Sequence, residues 1–167
     1  MVGKNFLTQY DVVPIKENQA KLCKVKTILT EDVNAFTDSL FEQMIFLQEY
    51  LEFNMLEREH FYIVACNKEH RIKGVLLLKV GEYNQVEYDA KRMILFLLLI
   101  DAYEFYSIHN HPNNVLKGSE GDKLLNNIML ATGIALQIPY VGGFVINEKG
   151  YVNTSDDIVK SFYGKGD

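Results

Sequence analysis

The spacing of hydrophobic residues changes several times along the chain, and each change marks an element. Val33, Phe36, Leu40, Met44 and Leu47 recur every three or four positions, which predicts an amphipathic helix from Thr30 to about Gln48. Thr30 reads as its N-cap, with Glu31 and Asp32 in the first turn where the helix dipole favours acidic groups. Leu124, Leu125, Ile128, Met129, Thr132 and Ala135 form a second stripe and predict a helix over residues 119–137. Between these, residues 61–66 and 72–80 are β-prone runs joined by Asn67-Lys68-Glu69-His70, the pattern of a hairpin. Residues 87–90 read as the start of a helix that carries the apolar run 93–100 on to about Tyr103. That run also suits a buried strand, but a total length of about 14 residues favours a helix. Residues 104–109 predict a short core strand ending in a polar loop, residues 139–146 a further strand, and residues 151–153 its return after a turn at 147–150. Residues 1–28 read as irregular chain with one or two short strands, the better at 21–28, and the Glu-rich stretch 49–59 has no clear period.

The order helix, hairpin, helix, strand, helix, hairpin predicts an α/β domain of three layers around one mixed sheet flanked by helices. With 167 residues, 48% hydrophobic, the chain has material for one core. Residues 1–56 are then an N-terminal strand and helix segment packed on a core formed by residues 57–167. A net charge of −5, from 17 Lys and Arg against 22 Asp and Glu, is a poor match to a phosphate backbone, so nucleic acid is not the expected partner unless a local basic patch exists. Cys23 and Cys66 make no CxxC pair and read as buried free thiols of a reducing compartment. The N-terminus lacks a signal-peptide pattern, and the longest apolar run, MILFLLLI, is far short of the roughly 20 residues that span a bilayer. The expectation is a cytoplasmic protein with no membrane partner.

The chemistry is concentrated in residues 107–122. If the strand continues to His111, His109 and His111 project to one face and both imidazoles reach one metal ion. Pro112 turns the chain outward, and Asp122, one turn inside the next helix, returns over the strand end as a third ligand. Two His and one Asp leave a tetrahedral zinc ion one open position, the arrangement of a catalytic rather than a structural site. Such a site also needs a proton carrier, for which glutamate is the usual choice. Each part has a plainer reading. Ser119-Glu-Gly-Asp122 alone is a helix capping pattern, and an isolated HxH pair is more often incidental. The conjunction of types and spacing favours the metal site, and capping does not exclude it. His60 and His70 carry no partner pattern; His70 reads as a turn residue. Tyr103, Phe105 and Tyr106 suit core packing better than a substrate wall, and Gly142-Gly143 marks either a close peptide approach or a bulge.

The string His109-x-His111-x7-Ser119-x-x-Asp122 resembles the JAMM motif of the JAB/MPN metalloproteases, and the wording SIHNHP resembles its RadC version. The likeness continues upstream through Arg58-Glu59-His60-Phe61-Tyr62-Ile63-Val64 and covers residues 57–153. It implies a JAB/MPN-like, cytidine-deaminase-like domain in which His109, His111 and Asp122 hold one zinc ion. It further implies that Glu59 is general base and then general acid, with Glu57 the alternative, and that Ser119 donates a hydrogen bond to the oxyanion. The implied activity is hydrolysis of an amide in a peptide or protein, as a metallopeptidase or isopeptidase. A DNA-repair-associated accessory role with a non-catalytic metal site is the alternative, and metal-dependent cleavage of nucleic acid ranks last. Two positions depart from the RadC pattern: Asn113-Asn114 replaces a Ser-Gly, and the region of Gly142-Gly143 lacks an Asp-His pair, both read as substrate-region divergence. An exposed edge strand leaves a homodimer open.

Overall fold

The computed structural model describes residues 5–30, 37–81 and 88–164. Strands β1 (Asn5–Lys16) and β2 (Gln19–Thr30) form a long antiparallel hairpin around Glu17 and Asn18, the latter left-handed at φ 62°. The strand expected at 21–28 lies inside β2, whereas the irregular chain expected before it is corrected over residues 5–20; residues 1–4 lie outside the described residues. Two register shifts, one at Val25 and one at Ile15, interrupt the alternation that would have shown the strands, because a bulge moves every later side chain to the other face. Thr30 is the last residue of β2 and not a helix cap. Val33 and Phe36 lie outside the described residues. Helix α1 (Leu40–Tyr50) starts nine residues later than Thr30, at the Ser39 N-cap, whose side chain accepts from the Glu42 N–H.

After a short 3-10 turn at Phe53–Met55 come β3 (Glu59–Cys66) and β4 (Ile72–Gly81), the expected hairpin. Helix α2 (Ala90–Leu99) is capped by Asp89 and stops short of Tyr103, since Asp101 is left-handed and the Tyr103 N–H already bonds to Cys66 of the sheet. Glu87 lies outside the described residues. Then follow β5 (Glu104–His109), α3 (Glu120–Leu136), β6 (Tyr140–Asn147), β7 (Gly150–Asn153) and β8 (Val159–Ser161). β8 carried no sequence signal, being three exposed residues.

All eight strands join one sheet in the order β2-β1-β4-β3-β5-β6-β7-β8, parallel at β1/β4 and β5/β6 and otherwise antiparallel. Both faces of its centre are covered. On one side Tyr62, Val64 and Cys66 of β3 pack with Met44, Phe46 and Leu47 of α1 and with Tyr106 and Ile108. On the other, Phe61, Ile63 and Ala65 pack with Met93, Phe96 and Leu97 of α2 and with Phe105 and Met129. The architecture is therefore the α/β sandwich of a mixed sheet between helices. Phe105 and Tyr106 serve opposite cores, whereas Tyr103 is exposed. Among the described residues, no helix is long and apolar enough to cross a membrane.

One consequence of the order decides where chemistry is located. The antiparallel pair β3/β5 ends with Phe61 opposite His109, so the start of β3 and the end of β5 meet at one edge of the sheet. The N-terminus of α3 faces the same edge, since Asp122 reaches His109 there.

Candidate metal centre

His109 is the last residue of β5 and lies on the α3 side, its ring stacked on Phe61 at 5.4 Å between centroids and 27° between planes. His111 follows two residues on. Their Nε2 atoms are 3.1 Å apart, and both face Asp122, whose Oδ1 is 3.0 Å from His109 and Oδ2 3.2 Å from His111. Both imidazoles are buried, His109 to 2% exposure and His111 to 5%. Donor atoms on a tetrahedral zinc with bonds of about 2.1 Å stand about 3.4 Å apart. The three side chains thus form a face of the right size for a first-row ion. His109 Nδ1 is buried without a hydrogen-bond partner among the described residues, so packing on Phe61 does the orienting that an acceptor usually provides for a metal-binding histidine.

Asp122 is aimed by the cap it helps to build. Ser119 Oγ accepts the Asp122 N–H at 3.1 Å, and Asp122 Oδ2 accepts the Ser119 N–H at 2.8 Å. Capping and ligand placement are therefore one device, which explains why Ser and Asp stand three apart. Burial by itself pushes the Asp122 pKa up; hydrogen bonds from His109 and His111, the charge of His109 and the Ser119 N–H together outweigh it and hold the carboxyl well below the usual range.

Glu59 opens β3 two residues before Phe61, on the same face, and is half-buried. Burial raises its pKa, opposed by His109 and His111 and reinforced by Asp122, so its carboxyl shares the electrostatics of the triad. Glu57 is exposed in a bend before β3. The structure thus brings Glu59, His109, His111, Ser119 and Asp122 together and leaves Glu57 outside.

Sequence reasoning missed two supports. Asn110, buried in the loop between the histidines, donates from Nδ2 to the Arg58 carbonyl at 3.0 Å and accepts the His60 N–H at Oδ1, 2.7 Å. Beneath the site, Ser107 bonds to Tyr140 Oη at 2.9 Å, which donates to Asn126 Oδ1 at 2.8 Å, while Asn126 Nδ2 donates to Thr154. The residues of α3 buried against the sheet are Asn126, Met129 and Gly133; the predicted stripe shares Met129 with this face and places Leu125 against the core, but it omits Asn126 and Gly133 and includes Leu124, which is 53% exposed. Asn126, one turn beyond Asp122 on the same face, was the available signal.

Gly142 lies in a bulge of an interior strand, where Val141 and Gly142 of β6 oppose the single residue Tyr106 of β5, and Gly143 resumes the pairing opposite Ser107. At Gly143 a Cβ would stand 2.2 Å from Asn126 Oδ1 and 2.7 Å from Tyr140 Oη, so the polar network itself requires glycine.

Residues 41–158 match the family model described as RadC-like JAB domain, beginning inside α1 rather than at residue 57. The match covers about seven tenths of the chain and includes all three candidate ligands together with Glu59 and Ser119. This protein belongs to the family of RadC-like JAB domains.

Proposed function

We propose that this protein is a zinc-dependent hydrolase that cleaves a peptide or isopeptide amide. The observation that carries the reading is the buried face formed by His109, His111 and Asp122, with three donor separations of 3.0–3.2 Å and a half-buried carboxylate beside it. Two neutral nitrogens and one carboxylate are a donor set suited to zinc and leave one position for a fourth ligand. Zinc, when bound, supplies the Lewis acidity that makes water a nucleophile near neutral pH.

The chain's own residues do the rest. Glu59 accepts the proton released as water attacks the carbonyl carbon, then returns it to the amine nitrogen as the C–N bond breaks. Its raised pKa suits both directions of transfer. Ser119 Oγ accepts from the Asp122 N–H, which leaves the hydroxyl hydrogen to donate to the oxyanion. Unpaired Cys23 and Cys66 favour a reducing compartment, and we place the activity in the cytoplasm.

Metal analysis joined to a peptide-library digest tests this reading. The purified protein should carry one zinc per chain, lose it in His109→Ala, and cleave library peptides in a manner abolished by Glu59→Gln with zinc retained. Stoichiometric zinc that survives His109→Ala, or digestion untouched by Glu59→Gln, overturns it.

A further inference from the structure

On the α1 side of the same sheet edge, three segments converge on a cavity of about 390 Å3. The 3-10 turn contributes Phe53 and Leu56, the loop after β5 contributes Asn114, and the end of β6 contributes Ile146 and Glu148. His111 lines it too, so the cavity and the metal-ligand triad share a wall.

Its chemistry is divided. Leu56 and Pro112 make its accessible apolar flank, over buried Phe53 and Ile146 of the α1-side core. At the other end the Glu148 carboxylate accepts from Asn114 Nδ2 at 3.1 Å. Asn114 is itself fixed: its N–H donates to the His111 carbonyl at 2.7 Å, its carbonyl accepts from Asn147 Nδ2 at 3.1 Å, and its backbone is left-handed at φ 61°. The carboxylate is therefore held in one place, and its own backbone N–H and the Asn114 carboxamide keep its pKa low. Glu52 and Glu57 bracket the 3-10 turn in sequence, adding negative charge to that segment. A cleft with a small apolar flank and an anion at its end suits an alkyl stem with a cationic tip.

We propose that this cavity binds the side chain of a lysine or arginine of the peptide substrate, its stem over Leu56 and Pro112 and its charged head on Glu148. The proposal rests on the peptide-hydrolase reading for the substrate class. It also gives a role to Asn114, at one of the positions that depart from the RadC pattern.

The test titrates the zinc-loaded full chain, by calorimetry, with capped alanine hexapeptides that carry one Lys, Arg, norleucine or Glu at each position in turn, and follows cleavage of the same peptides by mass spectrometry. At one position Lys and Arg should bind about fivefold tighter than norleucine, the scale of a half-exposed ion pair. Glu148→Gln should remove that preference and Glu148→Lys should turn it towards Glu, both with unchanged zinc content and melting. Equal binding of Lys and norleucine everywhere, a preference that survives Glu148→Gln, or no binding of any peptide overturns the proposal. Cleavage without a basic preference removes only this pocket, whereas a Glu148-dependent preference without cleavage supports the pocket and removes only the hydrolase reading.

Discussion

Asn110 acts as a strand neighbour for His60, accepting its N–H at 2.7 Å while donating to the Arg58 carbonyl at 3.0 Å. The β3/β5 ladder ends one pair earlier, at Phe61 and His109, so a side-chain amide replaces the next rung and holds the peptide groups on both sides of Glu59. Asn110→Ala leaves the His60 N–H without its side-chain acceptor and the Arg58 carbonyl with only His60 Nδ1 at 3.0 Å, a cost of about 1–3 kcal/mol. Thermal melts should show that loss, zinc content should stay near one per chain, and turnover should fall by about 10- to 100-fold as Glu59 loses its support. Unchanged turnover would mean that the clamp serves only the fold.

Ser119 has two functions that substitution separates. Ser119→Ala removes the cap and should cost about 1 kcal/mol, which lowers Tm by roughly 2–4 °C for a domain of this size. Ser119→Asn caps nearly as well and should restore the melting temperature. It offers no hydroxyl, so turnover should stay low in both variants. If Ser119→Asn recovers turnover along with stability, the serine is a cap alone.

The site was legible because it is local. Three ligands and their cap lie within residues 109–122, on a strand end and the helix start that follows, where spacing alone fixes the faces. Core strands β3 and β5 were legible for a similar reason: burial on both faces leaves continuous apolar runs. The hairpin β1/β2 was hidden by its register shifts and exposed, mixed-charge surface. Asn110 and Asn126 were hidden because their partners are distant in sequence, 50 residues for Asn110 and His60 and 28 for Asn126 and Thr154. The face of α3 was read only in part: Met129 and Leu125 do pack against the core, but the polar network also turns Asn126 and Gly133 to the sheet and leaves Leu124 exposed.

The metal-free protein should respond to pH with opposite signs at two carboxyls. Glu59 has a folded pKa above its ordinary 4.5, so its contribution is fully present below that value and is lost as pH rises through the folded one. Glu59→Gln should therefore melt higher than the parent at pH 7, with the gap closing below about pH 4.5. Asp122 is depressed below its ordinary 3.8, so its contribution is present above that value and is lost as pH falls through the folded one. Asp122→Asn should accordingly flatten the acid limb of the melting profile. A Glu59→Gln gap that widens in acid would reverse the sign assigned to its burial.

Zinc should stabilise the fold through the triad, and the size of that effect follows from mass action. At a free zinc concentration 1,000 times Kd, binding to the native state alone adds about 4 kcal/mol, or a rise of roughly 8–16 °C in Tm for a chain of this length. Asp122→Asn should abolish most of that rise, in addition to the metal-free loss at neutral pH that its depressed pKa implies. The amide keeps nearly the same shape and an oxygen that can accept the Ser119 N–H, now 2.8 Å from Oδ2, but it removes the charge that balances the ion. Melts in zinc-buffered and chelator-treated solutions measure both quantities. Ser119→Asn should keep most of the zinc-dependent rise, because its backbone N–H still orients Asp122. If Asp122→Asn retains the full rise, the stabilising zinc binds elsewhere and the buried triad is not its site.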